Sequence, residues 1–535
     1  MEIRKRKVIL FKKSFFILIL SSLILLCSIL NKYSLIYLRI KFLQISSISL
    51  GFYFLADEIS FMFFLIVFCV VSLVSLFREL YMEHYNNKKF YFIKLFFFFS
   101  MLILASSGGL MNLIVGWDWL GISSLFLIIF YPNKLTLYNS YLTIIFNRLG
   151  DGILILILCF FLSNLHNFFF FIRENLILIS VAFILCSFTK RAQFPLSSWL
   201  PAAISAPTPI SAIVHSSTLV TAGLYILFKI NFYIAEWKIC YLFITFRIMR
   251  FLIGGLIAKI ETDFKKIVAF STIRQIRIII FFLFLGLLIL GRWHMVIHAF
   301  FKTILFCCCG SFFLGNFSDQ IFRKMNIKFP IKIYLLLFLS IFSITGLTFC
   351  RSYTSKDKIL EFFILSTNQF FFILLTGRIF TLIYCRKIIE TFKQKYIRSS
   401  FSKKELFSFF TLFRLISLIL GKLILLLFPL LSYPICSRRE LLLLLIILFS
   451  FVFFEIKYNK FKFLKYVTLD ISLIKRLTFR LWNKINKNFF FLIFINSDRF
   501  IFKPRYLSLK KKKLNTPFFT RYFNLYFLAW IALLT

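Results

Sequence analysis

Residues Lys190 to Ile226 read KRAQFPLSSWLPAAISAPTPISAIVHSSTLVTAGLYI, a lysine, a histidine and prolines at 195, 201, 207 and 209 within a chain that is otherwise oily helix. In a bilayer core an ionisable group is expensive, and a proline both removes a helix hydrogen bond and disfavours helix at the residue before it. The span carrying Lys190 is therefore expected to break, leaving carbonyls that only a protein-lined, hydrated interior can satisfy. The same reasoning applies from Thr345 to Lys356, where Gly346 and the polar cluster RSYTSKD interrupt an apolar run. Two interrupted helices, each with a lysine, in comparable places of two halves of the chain predict internally repeated transporter architecture with ion sites at mid-membrane.

Composition sets the class. Of 535 residues, 60% are hydrophobic and 20% aromatic, with a mean hydropathy of +0.89, far beyond a soluble domain. Apolar runs recur from residue 8 to the end, and at about 20 residues per crossing they predict an all-α polytopic membrane protein of about 15–16 transmembrane helices. The basic start followed by the apolar run Val8 to Leu30 is too long for a signal-peptide core and no small-residue cleavage site follows, so it reads as the first membrane helix. Eighty Phe against 8 Met and 10 Pro is a bias expected of an AT-rich, organelle-encoded gene.

The formal charge of +45 does not imply nucleic acid, which would need a basic face on a folded soluble domain. Lys and Arg collect between the apolar runs, as in NNKKF at 86–90, RKIIETFKQKYIRSSFSKKE at 386–405 and KPRYLSLKKKK at 503–513. There they serve topology and contact with anionic lipid headgroups. Cys307, Cys308 and Cys309 are consecutive in an apolar run and no CxxC pair occurs, so cysteine acts as a small hydrophobe. Neither a Walker loop nor a dinucleotide fingerprint is present, and no cofactor is expected in the chain.

Ionisable residues inside the apolar runs form a succession. Asp118 lies in NLIVGWDWLGISSLFLIIF, and Arg148 with Asp151 in YLTIIFNRLGDGILILIL. Lys190, His215 and Lys229 follow, then Asp263, Lys265 and Lys266 in ETDFKKIVAFSTI, His294, His298 and Lys302 in GRWHMVIHAFFKTILF, and Lys356 with Asp357. His294, His298 and Lys302 are spaced by four and share one helix face, a polar stripe about 12 Å long. An HxxxH pair can bind zinc, but a metal site wants a third ligand and none is near in sequence. Burial disfavours the charged form of a lysine, and a nearby carboxylate favours it. Asp118 facing a lysine such as Lys190 would thus make a charge-sensitive switch; a static ion pair holding helices together is the plainer alternative.

These residues carry a resemblance. SSWLPAAISAPTPISAIVHSSTLVTAGLYIL, with GWDWLGISSLFLI, NRLGD, DFKKIVAFSTI, HAFFKTILF and TSKDKILEFF in order, resembles the antiporter-like subunits of respiratory complex I, the NADH dehydrogenase subunit 5 family. The large subunit of multisubunit cation/proton antiporters is the runner-up. The resemblance implies two inverted repeats of five helices, two broken helices and a C-terminal lateral amphipathic helix. It divides the chain into N-terminal helices (1–105), an antiporter-like proton-translocating core (106–375), further helices (376–457), a basic lateral helix (458–515) and a terminal membrane anchor (516–535). It makes Asp118 the family's carboxylate, with Asp where Glu is usual, Lys190 the first broken-helix lysine, His215 the connecting histidine, Lys302 the central lysine and Lys356 the second broken-helix lysine. Asp151, Asp263 and Lys265 match the hydrated axis, and His294 and His298 accompany Lys302. It further implies no redox cofactor in this chain, neighbours among the complex I membrane subunits, especially subunit 4, accessory subunits and cardiolipin along the lateral helix, and the mitochondrial inner membrane. A structural subunit that keeps the polar residues only as helix glue is the reading from another class.

Arg191, Arg274, Arg277 and Arg351 stand where that family has small or polar residues. Within a span an arginine costs about 2.5–3.5 kcal/mol on insertion scales. Either they pair with acidic groups or lipid from other subunits, or they are serines in the living protein, as when a code that reads AGA and AGG as serine is translated under another. Peptide mass spectrometry over residues 267–277 of the native protein decides: serine at 274 is expected, and arginine there sinks the idea.

Overall fold

A computed structural model of the chain describes residues 36–45, 48–82, 87–131, 133–163, 176–193, 196–216, 218–230, 254–255, 257–259, 261–315, 331–346, 352, 355–356 and 368–393. The expected lateral helix and terminal anchor, most of the 376–457 helices, Arg351 and Asp357 lie outside them. Every described residue belongs to the unit Met1–Thr468.

The first elements among the described residues form a β-hairpin, β1 (Ile36–Ile45) and β2 (Ile48–Ala56), antiparallel from Ile36 opposite Ala56 to Ile45 opposite Ile48. The helical reading of residues 1–105 did not include this hairpin. Its cause is legible in retrospect, because Arg39 and Lys41 alternate with Leu38 and Ile40, a period of two that suits a strand.

Helices follow in order: α1 (Glu58–Tyr81), α2 (Asn87–Ala105), α3 (Leu110–Ile128), α4 (Lys134–Ser163), α5 (Leu176–Lys190), α6 (Trp199–Ala203), α7 (Thr208–Val214), α8 (Leu219–Lys229), α9 (Phe264–Phe284), α10 (Leu288–Gly315), α11 (Ile331–Thr345) and α12 (Asn368–Lys393). Six stretches among the described residues are long and apolar enough to cross a membrane: Glu58–Arg78, Leu110–Ile128, Leu135–Cys159, Thr208–Lys229, Phe264–Phe284 and Leu288–Leu314. The membrane-helical architecture expected from the sequence is thus the one observed. The spans Thr208–Lys229, Phe264–Phe284 and Leu288–Leu314 are wholly buried, whereas Leu135–Cys159 is 44% buried, so α7 to α10 form the interior and α4 the periphery.

The prolines break the chain where predicted. α5 stops at Lys190, and its end closes with Gln193 N donating to Phe188 O (3.2 Å) and Ala192 N to Thr189 O (3.4 Å), the bonding of a Schellman cap. Ala192 takes φ +51° there, a left-handed conformation that costs roughly 1–2 kcal/mol for a residue with a Cβ. Pro201 falls in the first turn of α6 and Pro209 in that of α7, where no intrahelical donor is lost. The second break begins at Gly346, φ +74°, where glycine ends α11 without that penalty.

Close approach is built in at α3. A Cβ on Gly116 would lie 2.7 Å from the backbone nitrogen of Leu104 and 2.8 Å from its Cα, so glycine is what lets α2 and α3 pack. β2 docks on the connection between them through Leu55 N to Ser106 O (2.8 Å) and Gly108 N to Tyr53 O (2.7 Å). Gly116→Val is expected to push the two helices apart and destabilise by about 1–3 kcal/mol, the usual cost of overpacking. A thermal-inactivation midpoint equal to wild type in the assembled protein would refute this.

Candidate functional site

Four ionisable side chains from α3, α4 and α5 gather around the first break. Asp118 and Asp151 are buried, at 8% and 6% exposure, and Lys190 is inaccessible at 0%. Arg148 Nη1 bridges the two carboxylates, 3.4 Å from Asp118 Oδ2 and 3.3 Å from Asp151 Oδ2, while its side chain stays half exposed. The Lys190 ammonium donates to the Trp117 carbonyl and lies 3.9 Å from the centroid of the Trp117 ring, a cation–π contact that gains strength out of water. Arg148 thus ties both carboxylates together beside the end of α5. The expected Asp118–Lys190 switch is therefore a cluster, in which Asp118 and Asp151 both pair with Arg148 beside the lysine.

Sequence supplies the approach. Thr189, just before the lysine, occupies the space that a Cβ on Gly150 would need, so the NRLGD motif brings α4 against α5 with Asp151 toward Lys190. Trp199 Nε1 donates 2.8 Å to the Thr189 carbonyl, and Lys265 of α9 donates 3.3 Å to Ala206 O. Arg277 Nε reaches Gln193 Oε1 at 3.1 Å. The freed carbonyls and side chains of the break thus find partners from within the protein. His215 ends α7, fully buried, with its ring 6.3 Å from that of Trp199 and beside the Ala203 backbone.

A second cluster lies between α9, α10 and the second break. Lys302, inaccessible to solvent, donates to the Ser271 hydroxyl. One turn earlier on α10, His298 is 4% exposed and has no hydrogen-bond partner for either ring nitrogen among the described residues. Another turn on, His294 Nδ1 lies 2.9 Å from Ser355 Oγ and Nε2 lies 3.3 Å from Gln275 Oε1. Lys356 donates to Ile344 O, an open carbonyl at the end of α11, and Arg378 of α12 donates 2.7 Å to Gly346 O.

The structure thus brings Asp118, Asp151 and Lys190 together, and separately His294, His298, Lys302 and Lys356, with Lys265 and His215 at the break between. Asp263 is not among them: it precedes α9, partly exposed, and pairs with Lys266. A carboxylate at an N-cap is drawn to the positive helix end and to the membrane edge, which the sequence succession did not separate from the buried row. Sequence reasoning did not single out Trp117, Ser271, Gln275 or Ser355, and passed over Arg148 as a site residue although its i,i+3 spacing to Asp151 was visible. No group of three potential metal ligands occurs among the described residues.

Arg191 and Arg274 are at 0% exposure, so acidic groups or lipids of other subunits do not reach them. Arg191 turns back on its own helix, with Nε 2.9 Å from Ser187 O and Nη2 on the Ser187 hydroxyl, while Nη1 is buried without a hydrogen-bond partner among the described residues.

A family profile described as the transmembrane part of NADH:quinone oxidoreductase/Mrp antiporter matches residues 107–382. The chain is 36% identical over 342 residues to NADH-ubiquinone oxidoreductase chain 5 of Anopheles arabiensis, covering 62% of this chain and 88% of that protein. It is 39% identical over 267 residues to the same-named protein of Apis mellifera ligustica, covering 49% of this chain and 47% of that one. Against Lumbricus terrestris it is 38% identical over 259 residues, 47% of this chain and 45% of that one, so it spans about half the length of these two relatives. Among solved structures, a chain of the Mrp complex from Dietzia sp. DQ12-45-1b superposes with TM-score 0.70 at 16% identity, covering 96% of this chain and 59% of that one. The membrane-bound sulfane sulfur reductase, an archaeal respiratory membrane complex, gives 0.66 at 19%, covering 78% and 90%. At these identities the two structures speak to fold alone.

Removing the cation from the first cluster should strand two carboxylates. Arg148→Leu is expected to lower assembly and thermal stability, and Arg148→Leu with Asp118→Asn to recover part of the loss, because coupled charges are non-additive. A double variant less stable than Arg148→Leu alone would overturn the pairing.

Proposed function

Because the chain belongs to the NADH:quinone oxidoreductase/Mrp antiporter transmembrane family, we propose that it is the subunit 5 type of antiporter-like subunit in a respiratory NADH:ubiquinone oxidoreductase. It moves protons across the mitochondrial inner membrane while electrons pass from NADH to ubiquinone in other subunits. The observation that carries this reading is the set of lysines buried at two helix breaks and between them: Lys190 and Lys302 at 0% exposure and Lys356 at 7%. A membrane protein retains such groups at a cost of several kcal/mol unless they work.

The chemistry follows from the partners. A lysine ammonium gives up its proton when opposing charge recedes, and holds it when a carboxylate approaches. Lys190 faces Asp151 and Asp118, so displacement of either carboxylate changes how firmly its proton is held. Lys302 has a hydroxyl rather than a carboxylate for partner, and His298 beside it offers a ring nitrogen to receive or pass a proton. We assign proton-transfer roles to Asp118, Asp151, Lys190, His215, Lys265, His294, His298, Lys302 and Lys356, with Asp263 at the edge. No cofactor is assigned to the chain.

The face of α4 supports a partner. Arg148 sits near the middle of the span Leu135–Cys159, half exposed, among exposed Ile145, Leu149, Ile155 and Leu156. A lipid headgroup does not reach mid-span, and a half-exposed arginine in hydrocarbon is costly. A neighbouring membrane subunit, subunit 4 in this reading, covers that face; accessory subunits and cardiolipin are assigned to the basic stretch 458–515. The matching family profile, whose description names the Mrp antiporter beside NADH:quinone oxidoreductase, favours, as second reading, a cation/proton antiporter subunit working without redox input.

Lys190→Ala and Lys302→Ala in the assembled complex are expected to lower the protons moved per NADH oxidised severalfold. Unchanged proton movement with normal assembly would leave the lysines as helix glue. Proton movement driven by a cation gradient in the absence of NADH would favour the antiporter.

A further inference from the structure

The first break has a way to the membrane surface that the proposed row does not use. After His215 the chain turns and enters α8, and Thr218, Thr221, Tyr225 and Lys229 follow at intervals of three, four and four residues. Such spacing places all of them on one helix face, a polar edge about 16 Å long at 1.5 Å per residue. Thr218, Thr221 and Tyr225 are at 0% exposure inside a wholly buried span. An apolar helix has no packing reason to keep three hydroxyls and an amine in line.

The far end of that edge is partly exposed. Lys229 Nζ lies 3.8 Å from Asp57 Oδ2, with side-chain exposures of 16% and 29%, and donates 2.7 Å to the Ser107 carbonyl. Its ammonium sits 5.2 Å from the Tyr225 ring centroid, and the Tyr225 hydroxyl donates to the Ala105 carbonyl. Asp57, which precedes α1 at the end of the β-hairpin, is the carboxylate that pairs with Lys229. Its Oδ1 is buried with no hydrogen-bond partner among the described residues, an acceptor aimed into the protein next to an amine. Each hydroxyl on the edge donates to a backbone carbonyl, and a hydroxyl can both donate and accept.

We propose that Asp57, Lys229 and Tyr225 form a proton-exchange station at the hairpin side of the membrane, joined to His215 along the hydroxyl face of α8. A proton arriving on His215 passes by hydroxyls and intervening water to Lys229, moves from its ammonium to the Asp57 carboxylate, and leaves Asp57 for bulk water; the reverse order serves uptake. No bond other than those to the proton is made or broken. This rests on the proposed proton-translocating role and adds a place of exchange to it.

The test turns on arginine, which keeps the cation and the ion pair but does not release its proton. In the assembled complex, Lys229→Arg and Tyr225→Phe are each expected to lower the protons moved per NADH oxidised severalfold, with assembly intact. Wild-type proton movement in Lys229→Arg and Tyr225→Phe would reduce the cluster to a structural clamp and overturn the station. If Lys229→Arg does not assemble, Tyr225→Phe, which keeps the ion pair, decides by the same reading. Lys302→Ala separates the two levels of the argument. Loss there with no loss at 225 and 229 refutes the station alone, and no loss at 302 refutes the translocating role on which it rests.

Discussion

A helix broken inside a membrane leaves carbonyls that no solvent will satisfy, and much of this structure is arranged around that constraint. At the first break the Thr189 carbonyl takes the Trp199 indole and Ala206 takes the Lys265 ammonium. Gln193 is held by Arg277. Two of these donors, Lys265 and Arg277, come from α9, whose membrane span is wholly buried although the helix carries two arginines and two lysines. Those two cations face a segment that needs donors. The prolines that look disruptive in sequence thus decide which polar residues the interior can hold.

The second break meets the same need with another arrangement. Lys356 and Arg378 both reach the end of α11, at Ile344 and Gly346, where cations suit open carbonyls and the negative end of the helix. Lys190 likewise sits at a helix end, but with two carboxylates beside it. Lys302 lies within α10, far from a helix end, and its hydrogen bond goes to a hydroxyl. Of the three lysines it is the one whose hydrogen bond goes to a hydroxyl rather than to a backbone carbonyl.

The sequence disclosed what depends on composition and short spacing. Both breaks, the buried lysines and the His294–His298–Lys302 stripe were visible because proline, glycine and charge stand out against an apolar background. Pairings across helices were not, since they depend on how each helix is rotated and how closely it packs. Asp118 meets Arg148 rather than lying opposite Lys190 alone, and Asp151 gains its place because Gly150 admits Thr189. Asp263 shows the same limit from the other side, a carboxylate in the right order along the chain but drawn to a helix start. The hairpin was missed because a period of two is easily lost where nearly every residue is apolar.

The short run Gly116–Trp117–Asp118 joins these levels. Gly116 sets the distance between α2 and α3, the Trp117 carbonyl and ring hold the Lys190 ammonium, and Asp118 holds Arg148. Successive side chains on a helix are about 100° apart, so a small rotation of α3 moves the Trp117 ring and the Asp118 carboxylate through different directions relative to Lys190. A rotation that loosens the aromatic contact also alters the charge seen by the lysine. The helix that fixes the packing is therefore also the one whose motion would change how the proton is held, and Gly116 limits that motion because it seats α3 directly on the backbone of α2.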